Sequence, residues 1–160
     1  MKQKQEEKRR PIIYTLGTSN RSLEEFCEIL QKFGIEQVID VRSFPQSRRF
    51  PHFTRKNLEK ALLLRGVAYI WLGKELGGYR KEGYQNYMKT ENFREGMQKL
   101  LALSSGKRSV ILCAERFPWR CHRRFIAQRL EELGCELRHI LDGEKVWIPR
   151  PPRPRPKFMF

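Results

Sequence analysis

Residues 110–141 have the sequence VILCAERFPWRCHRRFIAQRLEELGCELRHIL, which contains a strand, a loop, a helix and a second strand. The apolar run that ends at Cys113 predicts a short buried strand, and apolar positions in 121–133 recur at helical spacing. Gly134 ends that helix, and residues 136–141 predict the second strand. A strand, a helix and a strand in this order form the repeating unit of a parallel sheet. The stretch therefore predicts an α/β fold.

The N-terminal half repeats this order of elements. Residues 11–16 predict the first strand, and Ser22 with Glu25 forms a capping box for a helix that ends at Gly34. The remaining predictions are a strand at 37–41, a helix at 54–65 capped by Thr54, a strand at 67–72, a flexible loop at 73–79, helical segments at 84–88 and 90–103, and a hairpin at Asp142-Gly143. We therefore expect a mostly parallel sheet of about five strands with helices on both faces, a Rossmann-like three-layer sandwich.

The chain divides into three regions. We expect a basic N-terminal tail at residues 1–10, a single α/β domain at 11–148 and a Pro/Arg-rich tail at 149–160. A length of 160 residues fits one domain with a sizeable core. The alternation of Pro and Arg predicts a polyproline II or disordered tail.

The chain is strongly basic. It contains 33 Lys and Arg against 18 Asp and Glu, a formal net charge of +15. Such an excess favours a polyanionic partner, and we expect nucleic acid, DNA rather than RNA. A basic surface that only maintains solubility, or that suits a hot habitat, is the alternative. We expect no cofactor and no metal, and the oligomeric state stays open.

The cysteines indicate a compartment. The chain has four cysteines, no signal peptide and no apolar run of about 18 residues, a combination that favours the reducing cytoplasm and excludes a membrane partner. Cys27 and Cys135 lie in apolar patterns and are expected to be inert. Cys113 and Cys121 differ because one ends a strand and the other begins a predicted helix.

The candidate catalytic residues follow the ends of strands, where the loops of a parallel sheet converge on a ligand crevice. A helix N-terminus and nearby guanidinium groups favour thiolate, so Cys113 or Cys121 is a candidate nucleophile or redox thiol. Asp40 and Glu115 are candidate carboxylates for proton transfer. A purely structural role is the alternative for both cysteines, and an internal salt bridge with Arg42 is the alternative for Asp40.

Two more specific interpretations of the cysteine loop also stay open. The loop is comparable with the Cys-x5-Arg loop of cysteine phosphatases, but Cys113 and Arg120 are separated by six residues and no glycine lies between them. Cys113, Cys121 and His122 offer three possible metal ligands, although the sequence has no paired Cys-x2-Cys and the surrounding charge is positive.

Anion binding is predicted for the same edge of the sheet. The backbone N–H groups at the start of the last helix and the neighbouring arginines make a seat for phosphate. Basic residues interleaved with aromatic ones in the second loop suit phosphates and stacked bases. The candidate anion and nucleic-acid ligands are Ser19, Asn20, Arg21, Arg42, Arg48, Arg49, Arg120, His122, Arg123 and Arg124.

Four blocks of the sequence resemble the DUF488 family. They are residues 14–22, 40–45, 76–78 and the segments 113–115 and 119–123 of the cysteine loop, and the resemblance extends over about residues 12–142. It implies a compact α/β domain with a polar site that contains Arg and Cys, and some family members are described as related to DNA repair. Thr18 stands where the family pattern has His, which puts any catalytic role of that His in doubt here.

Three functional hypotheses follow. The first is a protein that binds nucleic acid, most readily double-stranded DNA, through its arginines. The second is a cysteine enzyme that acts on a phosphorylated, nucleotide or nucleic-acid substrate, and DNA repair is one such setting. The third is an interaction module whose Pro/Arg tail binds a partner.

Overall fold

The computed structural model describes residues 10–149, so the two predicted tails lie outside the described residues apart from Arg10 and Pro149. The described chain forms six strands: β1 (Ile12–Gly17), β2 (Gln37–Asp40), β3 (Ala68–Trp71), β4 (Ser109–Cys113), β5 (Glu136–Ile140) and β6 (Val146–Trp147). It also forms six α-helices: α1 (Leu23–Lys32), α2 (Arg55–Leu64), α3 (Gly73–Leu76), α4 (Tyr84–Tyr87), α5 (Glu91–Ser104) and α6 (Arg123–Glu132). Single 3₁₀ turns occur at Pro51–Phe53 and Pro118–Arg120.

The strands form one sheet in the order β3-β2-β4-β1-β5-β6. The first five strands pair in parallel, and β6 pairs antiparallel with β5. The predicted hairpin supplies the sixth strand, because Asp142 Oδ1 accepts hydrogen bonds from the backbone N–H groups of Glu144 and Lys145, both at 2.8 Å. The predicted mostly parallel sheet is confirmed, with this short strand added at one edge.

Alternating strand residues give the sheet two apolar faces. Ile13, Ile39 and Ile111 pack with residues of α3, α4, α5 and α6 on one face. On the other face, Leu16 and Val110 join a second core with residues of α1 and α2. Because both faces of the central strands are covered by helices, the predicted α/β class and three-layer arrangement are confirmed.

Side-chain caps were predicted at the start of two helices, α1 and α2. Ser22 Oγ accepts a hydrogen bond from Glu25 N at 3.0 Å, as the capping box predicts for α1. Thr54 directly precedes α2, but its Oγ1 donates to the carbonyl of Pro51 at 2.9 Å and does not bond to the helix. The predicted side-chain cap at Thr54 is therefore wrong, because the hydroxyl is turned toward the preceding 3₁₀ turn and accepts no hydrogen bond from an N–H of the helix.

Two predicted boundaries near the site are also wrong. The stretch 73–79, expected as a flexible loop, contains the one-turn helix α3, whose Leu76 is buried. The last helix begins at Arg123 and not at Cys121, because Pro118 starts a 3₁₀ turn after which Cys121 is extended at φ −129° and ψ 153°. This extended residue places Cys121 just before the helix N-terminus.

No helix within residues 10–149 combines the length and the apolar character needed to cross a membrane.

Candidate functional site

The carboxyl ends of three neighbouring strands meet at one edge of the sheet. Strand β4 lies between β1 and β2, and the register pairs Gly17 with Cys113 and Asp40 with Leu112. The chain after β1 continues beside the chain after β4, where Thr18 N donates to the carbonyl of Cys113 at 2.8 Å. This arrangement brings the predicted catalytic loops together, as expected for the ligand edge of a parallel sheet.

The sulfur of Cys121 lies between a second sulfur and an imidazole. Its Sγ is 3.0 Å from Cys113 Sγ and 3.4 Å from His122 Nδ1. His122 Nε2 is 3.1 Å from the carbonyl oxygen of Val41. Because a carbonyl only accepts, Nε2 carries the proton in the neutral ring, and Nδ1 presents its lone pair to Cys121. The imidazole is thus oriented to take the thiol proton and then to donate an Nδ1–H hydrogen bond to the Cys121 thiolate.

These contacts shift the pKa values of the two cysteines in opposite directions. A hydrogen bond from the Cys113 thiol lowers the pKa of Cys121 to about 4, with further help from His122 and from the backbone N–H of Arg123, and together they outweigh burial. Burial raises the pKa of Cys113 well above its ordinary value, and the neighbouring Cys121 raises it further. Cys121 is therefore the thiolate, and Cys113 is the thiol that donates to it.

The imidazole of His122 is enclosed by residues of the preceding segments. The ring centroids of Tyr84 and His122 are 5.3 Å apart, and the Tyr84 hydroxyl donates to the carbonyl of Leu76 at 2.9 Å. A Cβ at Gly78 would lie 2.6 Å from His122 Nδ1, so only a glycine lets the backbone approach this closely. Tyr84 was not among the site residues predicted from the sequence, whereas Gly78 belongs to the block 76–78 that resembles the family.

Asp40 lies at the same edge but is fully engaged in an ion pair. Its carboxylate accepts hydrogen bonds from Arg42 Nε at 2.9 Å and Nη2 at 2.7 Å, and also from the Tyr69 hydroxyl. Arg42 Nη1 donates to the carbonyl of Phe53 at 2.7 Å. Asp40 is 0% and Arg42 is 7% exposed, so the internal salt bridge considered for Asp40 is present. Neither side chain is free to contact a ligand in this conformation.

Besides Arg42, two further predicted anion ligands, Arg21 and Arg123, require correction because their side chains are buried. Arg21 is buried and donates to the carbonyl oxygens of Gly17 at 3.1 Å and Leu141 at 2.7 Å. Arg123 is also buried, and its Nη2 donates to the carbonyl oxygens of Glu115 at 3.1 Å and Arg116 at 2.8 Å. Both guanidinium groups hold loop carbonyls in place rather than facing solvent, a role that sequence position alone does not reveal.

Ser19 and Asn20 contact a protein side chain. Arg116 Nε donates to Ser19 Oγ at 3.3 Å, and Arg116 Nη2 donates to Asn20 Oδ1 at 3.2 Å. Ser19 has the left-handed φ of 48°, which turns the loop toward Arg116. Arg116 was not predicted as a site residue. Its hydrogen bonds connect the loop after β1 to the loop after β4.

The remaining predicted residues lie at the surface. Arg120 is exposed beside Cys121, and its guanidinium lies 5.6 Å from the ring centroid of Phe117. Glu115 is exposed on the cysteine loop, where its carbonyl oxygen is 3.4 Å from Cys113 Sγ. The other predicted anion ligands that are exposed are Arg48, Arg49 and Arg124. These four exposed arginines, Arg48, Arg49, Arg120 and Arg124, remain available for an anionic partner.

An aromatic cavity lies beyond the cysteine loop. Its volume is about 940 Å³, and its lining includes Trp119, Trp147, Arg124 and His139. The Trp147 ring stacks on His139 at 5.2 Å and meets Trp119 edge-on at 5.7 Å. Burial, together with the charge of Arg123, lowers the pKa of His139 to about 3, so this histidine is neutral at pH 7. The cavity therefore presents two tryptophans beside Arg124, and three carboxylates, Glu131, Glu132 and Glu136, also line it.

The described residues contain no group of three or more His, Cys, Asp or Glu side chains arranged to hold a metal ion. Thr18, which stands where the family pattern has His, is buried and 3% exposed. Cys113, Cys121 and His122 are in contact with one another at this edge of the sheet.

Comparison with known proteins identifies a family. The family model described as domain of unknown function DUF488 matches residues 22–130. No curated protein and no solved structure gives a significant match to the chain. The matched range includes the strand ends and loops that carry Asp40, Cys113, Cys121 and His122. The chain therefore belongs to the DUF488 family.

Proposed function

We propose that this protein is a cysteine-dependent enzyme in which Cys121 is the nucleophile and the substrate is anionic, a phosphorylated compound, a nucleotide or a nucleic acid. The observation that carries the proposal is the position of Cys121 Sγ, 3.0 Å from Cys113 Sγ and 3.4 Å from His122 Nδ1. A thiolate held by two hydrogen-bonding partners at a helix N-terminus has the properties of an activated nucleophile.

The roles of the neighbouring residues follow from their contacts. His122 accepts the Cys121 proton at Nδ1 and, once protonated, donates it to the group that leaves when Cys121 forms a bond to the substrate. Cys113 stabilises the thiolate before attack. Arg120, exposed and next to Cys121 in the chain, attracts the anionic part of the substrate. We also propose a cytoplasmic location, because the four free cysteines suit a reducing compartment.

The nucleophile is tested by the pH dependence of alkylation with iodoacetamide under reducing conditions, with peptide mapping to assign each site. We expect Cys121 to react at nearly the same rate between about pH 5 and about pH 8, because its thiolate is already complete, whereas an ordinary thiol slows about tenfold per unit below its pKa. Cys27 and Cys135 are internal controls, since burial raises the pKa of both. A Cys121 rate that falls with pH like that of the controls would refute the proposal.

The charge of the substrate is tested by two alkylating reagents of similar size. Iodoacetate is anionic and iodoacetamide is neutral, so the ratio of their rates reports the local field at Cys121. We expect a higher ratio at Cys121 than at Cys27, and a lower one in R120Q. The matched control is R65Q, because Arg65 is also exposed but lies at the C-terminal end of α2, where its charge acts on Cys27. This variant should lower the ratio at Cys27 and leave the ratio at Cys121 unchanged. An unchanged ratio in R120Q would remove Arg120 from the site.

A second candidate function is nucleic-acid binding, DNA in preference to RNA. The four exposed arginines favour it, and so do Trp119 and Trp147, which are 45% and 42% exposed beside Arg124. Arginines contact phosphates, and exposed aromatic rings stack on bases. The net charge of +15 gives such binding a long-range attraction. Binding and catalysis are compatible, since an enzyme that acts on nucleic acid needs both.

Fluorescence anisotropy with a duplex DNA, a duplex RNA and a single-stranded DNA tests the binding function. We expect binding to the DNA duplex that weakens steeply between about 50 and about 200 mM salt, because neutralised phosphates release counterions. The double variant R48Q/R49Q is expected to reduce the salt slope, whereas R65Q should change it less. Absence of binding at low salt would refute this function without affecting the proposed nucleophile.

A further inference from the structure

We propose that Cys113 and Cys121 form a reversible redox pair, in which a hydroperoxide oxidises Cys121 and Cys113 then closes a disulfide that switches the site off. This inference rests on the proposed nucleophilic role of Cys121. It adds a regulatory input to that site and assigns Cys113 the role of the resolving thiol.

The proposal is based on the distance between the two sulfur atoms. Cys113 Sγ and Cys121 Sγ are 3.0 Å apart, and a disulfide bond is about 2.05 Å long, so closure requires an approach of about 1 Å. Cys113 is fixed at the end of β4, in the centre of the sheet. Cys121 lies between the 3₁₀ turn and α6, where its N–H donates to the carbonyl of Pro118 at 3.2 Å and its carbonyl accepts from Arg124 N at 3.1 Å. Because both backbones are held, the approach is left to the side chains of the two cysteines.

Burial determines which sulfur an oxidant reaches first. Cys113 is 1% exposed, whereas Cys121 is half-buried and partly open to solvent. A hydroperoxide reacts with the thiolate and not with the thiol, and Cys121 is the thiolate of the pair. Accessibility and ionisation thus select the same residue for the first oxidation.

Disulfide formation takes two steps, oxidation of Cys121 and attack by Cys113. The Cys121 thiolate attacks one oxygen of the hydroperoxide, the O–O bond breaks, and an alkoxide or hydroxide leaves and takes up a proton. Cys121 is then a sulfenic acid, and the peroxide has received the two electrons. Cys113 sulfur next attacks the Cys121 sulfur, the S–O bond breaks, and the hydroxyl leaves as water with the Cys113 proton. A thiol reductant reverses the pair by disulfide exchange.

The first oxidation prepares Cys113 for the second step. Burial raises the pKa of Cys113, and the hydrogen bond and charge of the Cys121 thiolate raise it further. Conversion to a sulfenic acid removes that negative charge, while the positive charge of Arg123, which lowers the Cys113 pKa, remains. Cys113 therefore ionises more readily only after Cys121 is oxidised, which places the two events in order.

Equimolar hydrogen peroxide added to the reduced full-length protein at about pH 7 tests the pair. We expect the intact mass to fall by the mass of two hydrogen atoms, peptide mapping to link Cys113 with Cys121, and dithiothreitol to restore both thiols. The variant C113S should instead accumulate a sulfenic acid at Cys121 that dimedone traps. The double variant C27S/C135S is the matched control and should form the same disulfide as the wild type.

The outcomes separate this inference from the proposed function. Rapid alkylation of Cys121 at low pH without a Cys113–Cys121 link after peroxide would overturn the redox pair and leave the nucleophile intact. Further oxidation of Cys121 in the wild type as fast as in C113S would also overturn it, because a resolving thiol must protect its partner. Mapping of the wild type decides the question even if C113S does not fold.

Discussion

Two clusters lie at the same edge of the sheet and use their charges differently. The carboxylate cluster consists of Asp40 at the end of β2, Arg42 just beyond it and Tyr69 of β3. The sulfur cluster consists of Cys113 at the end of β4 with Cys121 and His122, which directly precede α6. In the first cluster the carboxylate and the guanidinium neutralise each other within the core. In the second cluster the Cys121 thiolate is stabilised by hydrogen bonds, and the residue is only partly buried.

The difference shows what separates a structural charge from a reactive one. The carboxylate of Asp40 accepts two hydrogen bonds from the guanidinium of Arg42 and one from Tyr69, and is 0% exposed. Its lone pairs are occupied, and no substrate can approach it without displacing Arg42. The Cys121 thiolate is stabilised by hydrogen bonds to its sulfur, and the sulfur still has a lone pair with which to attack an electrophile. The carboxylate cluster therefore supports the fold, and the sulfur cluster is the candidate for chemistry.

The largest effect is expected when one partner of the buried ion pair is removed. We expect R42M to lower the free energy of unfolding by about 3–5 kcal/mol, because it leaves the Asp40 carboxylate buried without a counter-charge. Urea denaturation measures the loss. The exposed variant R65Q is the control and should change stability by less than about 0.5 kcal/mol.

A double variant identifies the cause of that loss. D40N/R42M removes the uncompensated charge, so it should be more stable than R42M alone if the ion pair is structural. A cost of less than about 1 kcal/mol for R42M would instead mean that Asp40 tolerates the loss of its partner, and would return Asp40 to the candidates for proton transfer.

The second prediction concerns the effect of His122 on the pKa of Cys121. The thiolate of Cys121 is complete well above its lowered pKa and is lost as the pH falls through about 4. H122Q removes the imidazole that lowers this pKa, so the midpoint of the alkylation profile should move to higher pH. Below the new midpoint, each unit of that shift slows iodoacetamide about tenfold. An unmoved midpoint would assign the whole effect to Cys113 and to the helix N-terminus.

The fold was largely predictable because its signals are local. The apolar strand that ends at Cys113, the Ser22 cap and Gly134 each act within a few residues of chain. The placement of the loops at one sheet edge followed from the parallel topology. The start of the last helix was misplaced at Cys121 because the 3₁₀ turn begun at Pro118 competes with the helix for the same residues.

Only those features of the site that follow from a residue's position in the fold were predictable from the sequence. Cys113, Cys121 and His122 meet because one strand end and one helix start bring them together. The internal roles of Arg21 and Arg123 depend on carbonyl groups that other loops present, and composition does not encode those contacts. An arginine in a basic sequence is expected at the surface, and both of these arginines are buried.

The smallest expected effect belongs to the third member of the carboxylate cluster. Y69F removes the hydroxyl that donates to Asp40 Oδ2 but leaves both hydrogen bonds from Arg42 to the carboxylate in place. We expect a loss of about 1 kcal/mol in the free energy of unfolding, measured in urea, because one hydrogen bond is lost and the ion pair remains. The alkylation profile of Cys121 should not change, since Tyr69 contacts β2 and not the sulfur cluster. A shift of that profile in Y69F would show that the two clusters are coupled, and the division between a structural and a reactive cluster would then fail.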